Sequence, residues 1–164
     1  YHAGYSGRRM RFHVVHAHEG HVNDVAGRMR EADRREVFAA RGVGPAEALS
    51  FSLQRSTEAY AVEFDGRAEI MFGVGPISLL AGVGAPWLLG SDVIDREFRH
   101  FLRASKWWRD RMLSKYPTLR NVVDDRNDVS KRWLLWLGFV LSDPFPLGAG
   151  RTPFRMFEMR AADV

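Results

Sequence analysis

Two apolar runs, Ala59 to Phe64 and Arg67 to Val74, are separated only by Asp65-Gly66, which commits the middle of the chain to an antiparallel β-hairpin. Such a two-residue connection needs left-handed backbone, which Gly adopts freely and Asp tolerates. A hairpin has apolar faces to cover, so its flanks must supply helices and further strands. Upstream, Met10 to His16 sets Phe12 and Val14 against Arg11, His13 and Val15 and reads as a short first strand. From His21 to Ala40, residues Val22, Val25, Met29, Ala32, Val37 and Phe38 recur at helical spacing, giving an amphipathic helix broken near Ala32. Gly42-Val43-Gly44-Pro45 ends it, and Pro45 starts a second helix to about Gln54.

Downstream of the hairpin, Ala85 to Ser91 reads as a third apolar strand and Arg96 to Tyr116 as a long amphipathic helix stopped by Pro117. Leu119 to Val123 is then a short strand, and Asp128 to Leu137 a helix ending at Gly138. Late strands at Phe139 to Leu141 and Pro153 to Met159 flank a loop holding Pro144, Pro146, Gly148 and Gly150. This order predicts an α/β fold with a mixed, mostly antiparallel sheet flanked by helices, not a doubly wound parallel sheet. With 164 residues and 46% hydrophobic content, the chain suits a single domain with a sizeable core.

The absence of cysteine excludes disulfides, thiolate metal ligation and a cysteine nucleophile. No apolar run approaches the roughly 18 residues of a membrane helix, and no secretory signal pattern is present, so a cytosolic setting is expected. Tyr1 to Arg9 is rich in Gly, Ser and Arg without apolar period and reads as vector-derived sequence, with Met10 as the native start.

The 24 basic side chains nearly balance 20 acidic ones, for a net charge of +4, which permits an anionic ligand without demanding one. Nucleic-acid binding would need a clustered basic face with interleaved aromatics, and on this balance nucleic acid is not the expected partner. His13, His16, His18 and His21 cluster in sequence, but no His-Glu-x-x-His pattern completes a zinc site, so a polar strand-to-helix turn is expected and no metal. Ser91 lacks the Gly-x-Ser-x-Gly setting of a hydrolase nucleophile.

The run from Asn127 to Phe139 places Asn127, Ser130, Trp133, Leu134, Gly138 and Phe139 at the spacing Asn-x-x-Ala-x-x-Leu-Tyr-x-x-x-Gly-Phe. Individually, Asn127 suits a helix cap, Gly138 a helix stop and Phe139 a core position. Together, behind a strand that follows a meander, they resemble the acyl-CoA-binding segment of the GNAT acetyltransferase superfamily.

That resemblance implies acetyl-CoA as cofactor, lying in a V-shaped opening between parallel strands at Ala85 to Ser91 and Leu119 to Val123. It implies direct attack of an amine on the thioester, with backbone N–H groups near Leu88, Leu89 and Gly90 polarising the carbonyl oxygen. Asn127 would steady the pantetheine or help orient the thioester, Ser130 would join it in binding the cofactor, and the acceptor would be a small-molecule or protein amine. The phosphate loop would fall between Asp92 and Phe101, where the family has glycines. Here Arg99 and Phe101 take those places, leaving Arg96 and Arg99 as candidate phosphate ligands through charge-assisted bonds. Leu134 stands where many members carry a tyrosine acid, which makes Tyr116 the substitute candidate. Glu69, Asp92 and Glu63 border the implied acceptor cleft as candidate bases, although such a residue is more often a solvated strand-edge carboxylate.

A narrower resemblance rests on Ala32 to Val37, Pro86 to Gly90 and Trp133 to Phe139. These segments resemble small proteins of tailed phages and prophages, described as GNAT-like or as relatives of internal virion proteins. This implies bacteriophage origin, the bacterial host cytoplasm or the virion as location, and a phage or host protein as partner. Two readings follow: an N-acetyltransferase for an unidentified amine, or a catalytically inactive GNAT-fold virion or host-interaction protein.

Overall fold

The computed structural model describes residues 12–164, so the reading of Tyr1 to Arg9 lies outside the described residues. The chain runs β1 (Phe12–His16), α1 (Glu19–Ala26), α2 (Glu31–Arg41), α3 (Pro45–Arg55), β2 (Glu58–Phe64), β3 (Arg67–Ser78) and β4 (Val83–Gly90). It continues as α4 (Val93–Arg96), α5 (Phe98–Lys115), β5 (Thr118–Asp124), α6 (Asp128–Leu137), β6 (Val140–Leu141), β7 (Phe145–Leu147) and β8 (Thr152–Arg160). The hairpin forms where its turn dictates, with Asp65 and Gly66 at φ 49 and 81. β7 lies inside the segment read as loop and pairs with β8.

The first helical segment departs from expectation. It breaks between Ala26 and Glu31, earlier than Ala32, because the connecting residues serve the sheet. Met29 bridges Ser91, and the Arg30 N–H donates to the Gly90 carbonyl at 2.9 Å. A continuous helix would hold both backbone groups in its own ladder.

The eight strands form one sheet in the order β1-β2-β3-β4-β5-β8-β6, with β7 also on β8. Every pairing is antiparallel except β4 with β5. One face is closed by α1 to α3 over Val22, Val25, Leu49, Ala61, Met71 and Leu89. The other is closed by α5 and α6 over Phe72, Val74, Met112, Leu119, Leu134 and Phe157. Among the described residues no helix is long and apolar enough to cross a membrane.

Candidate functional site: the splay between β4 and β5

The two parallel strands touch only at their beginnings. Val83 pairs with Thr118 and Gly84 with Leu119, and beyond these residues no ladder joins them. Glycine at 84 is a packing requirement, since a Cβ there would meet the Tyr116 ring at 2.5 Å. Past that joint the strands diverge and leave backbone groups that need partners, because a buried amide without one costs about 1–3 kcal/mol.

The pleat identifies those groups. Ser91 N–H donates to the Glu69 carbonyl on β3, so Gly90, Leu88 and Pro86 turn their backbone groups towards the splay. Across the gap, Thr118 N–H donates to Gly82, which places Val122 and Asp124 N–H on the same inner edge.

Side chains of the protein itself take four of these groups, the Pro86 C=O and the Gly90, Val122 and Asp124 N–H. Asn121 forms an artificial rung near the joint, its Nδ2 donating to the Pro86 carbonyl at 2.9 Å and its Oδ1 accepting from Val122 N–H at 2.8 Å. At the open end, α2 inserts acidic residues. Asp33 Oδ2 accepts the Gly90 N–H at 3.0 Å, and Glu36 Oε1 accepts the Asp124 N–H at 2.6 Å. Of the inner-edge positions on β4 beyond the joint, only Leu88 keeps its N–H and C=O free of these side chains.

Arg30 locks the plug. Its guanidinium binds Asp33 at 2.9 Å, Asp95 of α4 at 3.1 Å and Ser130 Oγ of α6 at 3.0 Å, while its Nε is buried without a partner. Burial acts to lower the Arg30 guanidinium, but Asp33, with Asp95 and Glu36, outweighs it and raises the group above its ordinary value. Burial pushes the Asp33 carboxyl up against the opposing pull of Arg30 and of the Gly90 N–H. The Glu36 carboxyl is pushed up to about 8, chiefly by burial, with neighbouring Asp33 and Asp124 adding to the rise. Glu36 as a residue keeps some exposure, but its carboxyl end is enclosed beneath the end of β5.

The residues singled out from sequence fall into separate environments. Leu88, Leu89 and Gly90 line the end of β4, with the Gly90 N–H taken by Asp33 of α2 and its C=O by the Arg30 N–H just before that helix. Asn127 caps α6, its Oδ1 accepting from Ser130 N–H at 3.2 Å, and its buried Nδ2 has no partner. Ser130 is the Arg30 ligand. Leu134 is buried in the α6 side of the core.

Tyr116 sits at the closed end of the splay, beside Gly84, with its hydroxyl 2.5 Å from Thr57 Oγ1. Glu69 is buried and bound by Arg67 at 2.9 Å and Arg28 at 3.4 Å. Burial pushes its carboxyl up, yet the hydrogen bonds of Ser91 and Arg67 and the charges of Arg28 and Arg67 hold it below the usual range. Asp92 is exposed at the start of α4 and makes no side-chain cap. Glu63 faces His21 at 3.5 Å on the α1 side. The structure therefore does not converge Glu69, Asp92 and Tyr116 on one point.

The segment expected to hold phosphate has no glycine anywhere from Ser91 to Leu137. α4 runs almost directly into α5, with Glu97 at the junction and bonded to His100 at 2.9 Å. Arg96 and Arg99 are exposed. A carboxylate at a helix start repels the anion that such a start otherwise favours. The Asp33 and Glu36 plugs at the open end and this acidic junction do not fit acyl-CoA in the manner the resemblance implies.

Sequence reasoning gave no role in a site to Arg30, Asp33 or Glu36, although Ala32 to Val37 carries part of the narrower resemblance. Their spacing of three on a helix of many charges looks like an ordinary solvated face, and nothing local reveals that this face turns inward.

Comparison with solved structures places the fold. A GCN5-related N-acetyltransferase from Brucella melitensis superposes with a TM-score of 0.63 at 17% identity, covering 96% of this chain and 78% of that one. The ribosomal-protein-S5-alanine acetyltransferase of Vibrio fischeri gives 0.63 at 14% identity, covering 93% and 94%. A mutant of the spermidine N-acetyltransferase of Vibrio cholerae gives 0.65 at 8% identity, covering 93% and 95%. No family model matches the sequence, and no curated protein matches it. The chain thus has the GNAT fold, a mixed α/β single domain with an open, mostly antiparallel sheet. At these identities the likeness defines the fold alone.

Proposed function

We propose that this chain is a non-catalytic GNAT-fold protein whose β4–β5 splay serves as a structural joint, and which acts through its outer surface on a macromolecular partner. The observation that carries this reading is the Asp33 carboxylate seated on the Gly90 N–H, with Arg30 clamped over it to α4 and α6. A pantetheine that reached the Gly90 N–H would have to displace Asp33 and leave the buried Arg30 without that countercharge, a cost of about 3–5 kcal/mol. The narrower sequence resemblance supports a bacteriophage protein, acting in the virion or on a host protein.

A second reading, acetyl-CoA-dependent transfer to an amine, is favoured by one observation. Leu88 turns a free N–H and C=O into the splay, the pair that a pantetheine amide needs. In that reading the Met29–Arg30 connection swings away on binding, and Arg96 and Arg99 take the phosphates.

Calorimetric titration with acetyl-CoA, at protein concentrations that reveal affinities near ~100 μM, separates the two readings. Absence of heat and of a thermal shift is the expected result. Saturable binding accompanied by acetylation of a polyamine or peptide amine would overturn the non-catalytic reading, and Arg96→Ala with Arg99→Ala should then weaken it most at low salt.

A further inference from the structure

The outer faces of α5 and α6 carry a pattern that the chain's overall charge conceals. On α5, Arg99, Arg103 and Lys106 recur at helical spacing along the exposed side, and Trp107 follows Arg103 by one turn. On α6, Arg132 and Trp136 stand one turn apart, both exposed. Lys106 Nζ lies 4.5 Å from the Trp136 ring centroid and joins the two rows into one surface.

The cations of this surface differ from their neighbours. Arg109, Arg111, Lys115 and Lys131 are all engaged by carboxylates. By contrast, Arg99, Arg103, Lys106 and Arg132 make no ion pair among the described residues. Asp110, the one carboxylate within α5, is held by Arg109 at 2.8 Å, and Glu97, just before the helix, is paired with His100 at 2.9 Å. The two indoles are equally unusual, since Trp107 is 58% and Trp136 45% exposed while most large apolar side chains of the chain are covered. Trp107 stands edge-on to Trp108, centroids 4.7 Å apart, and Trp108 packs against the core, so the exposed ring is braced from behind.

Cations without ion pairs, interleaved with exposed aromatic rings, match one ligand chemistry best, a flexible polyanion bearing flat apolar rings. We propose that the outer face of α5 and α6 binds single-stranded nucleic acid, with Arg99, Arg103, Lys106 and Arg132 meeting phosphates and Trp107 and Trp136 stacking on bases. A duplex hides its base faces, and an acidic polypeptide gains little from two indoles. A lipid surface favours a continuous apolar stripe, whereas here cations alternate with the rings. The surface shares Arg99 with the acyl-CoA reading, but Arg103, Lys106, Arg132 and both indoles lie outside it, so the inference stands on them whether or not the splay takes acyl-CoA.

The test is fluorescence anisotropy of a labelled oligothymidylate of about 20 nucleotides, titrated with the full chain and paired with tryptophan quenching. Binding at about 50 mM salt should weaken about fiftyfold by about 200 mM, as four single-strand phosphate contacts give. Arg103→Glu with Arg132→Glu should reduce affinity at least about tenfold, and Trp107→Ala or Trp136→Ala about tenfold each, by the usual cost of losing one stacked base. All four positions are exposed, so unchanged circular dichroism and melting temperature will establish that the variants fold. Three results would overturn the proposal: no anisotropy change at low salt, tryptophan variants that bind as the parent does, or equal binding to polyglutamate or anionic phosphatidylglycerol vesicles.

Discussion

The carboxylate of Asp33, on the first turn of α2, accepts the backbone N–H of Gly90 at the end of β4 across 3.0 Å. This bond replaces the strand pairing that β4 loses when β5 diverges, and it carries the charge of Arg30 with it. The splay is thereby converted from an open backbone edge into a closed polar joint among β4, α2, α4 and α6.

Asp33→Ala should therefore be among the costliest single substitutions in the chain. It strands a buried guanidinium and a buried amide together, and a loss of about 3–5 kcal/mol is expected in urea denaturation. Asp33→Asn keeps an acceptor for Gly90 but not the countercharge, and should fall between the two.

Glu36 gives the joint a pH dependence with a definite sign. In the unfolded chain its carboxyl ionises near the usual ~4.3, and in the fold near about 8, so the native state holds the proton more tightly. Its contribution is fully present below the unfolded value and is lost as pH rises towards 8, by at most about 1.4 kcal/mol per unit. Glu36→Gln should accordingly gain stability relative to the parent between pH 5.5 and pH 8, measured by denaturation at both.

Gly84 fixes the closed end of the splay. Gly84→Ala drives a Cβ into the Tyr116 ring, whose hydroxyl is tied to Thr57, so the ring cannot simply rotate aside. A destabilisation of about 1–3 kcal/mol is expected from thermal unfolding, of the size usual for overpacking.

Asn127→Ala removes the acceptor for Ser130 N–H at the start of α6 and should cost about 1 kcal/mol, as N-cap losses do. Asn127→Asp retains the acceptor and should match the parent. Denaturant midpoints distinguish the two variants.

How much of this was legible beforehand follows from the range of the interactions. The Asp65-Gly66 turn, the Pro45 start and the bounds of α6 between Asn127 and Gly138 are set by neighbours in sequence, and each lies where local chemistry puts it. The parallel pair and its divergence also follow, through the resemblance carried by Asn127 to Phe139. The seal does not. Arg30, Asp33 and Glu36 meet Gly90, Ser130 and Asp124 across separations of 57 to 100 residues, and no local pattern distinguishes an acidic helix face that plugs a sheet from one that meets water. The first helix ends ahead of Ala32 for the same reason, since Met29 and Arg30 leave it to satisfy the distant end of β4. Helical spacing does set Trp108 with Phe101 and Met112 on the apolar face of α5, but it says nothing of how far Trp107 and Trp136 stand out into solvent, which the packing of α5 and α6 decides.

Amide hydrogen exchange at Gly90 and Asp124 tests the sealed splay most directly. Both amides are bonded by α2 side chains, so both should exchange slowly, with protection and chemical shift unchanged by millimolar acetyl-CoA. Rapid exchange at both positions, or protection that arises only when acetyl-CoA is added, would show an open slot and contradict the account.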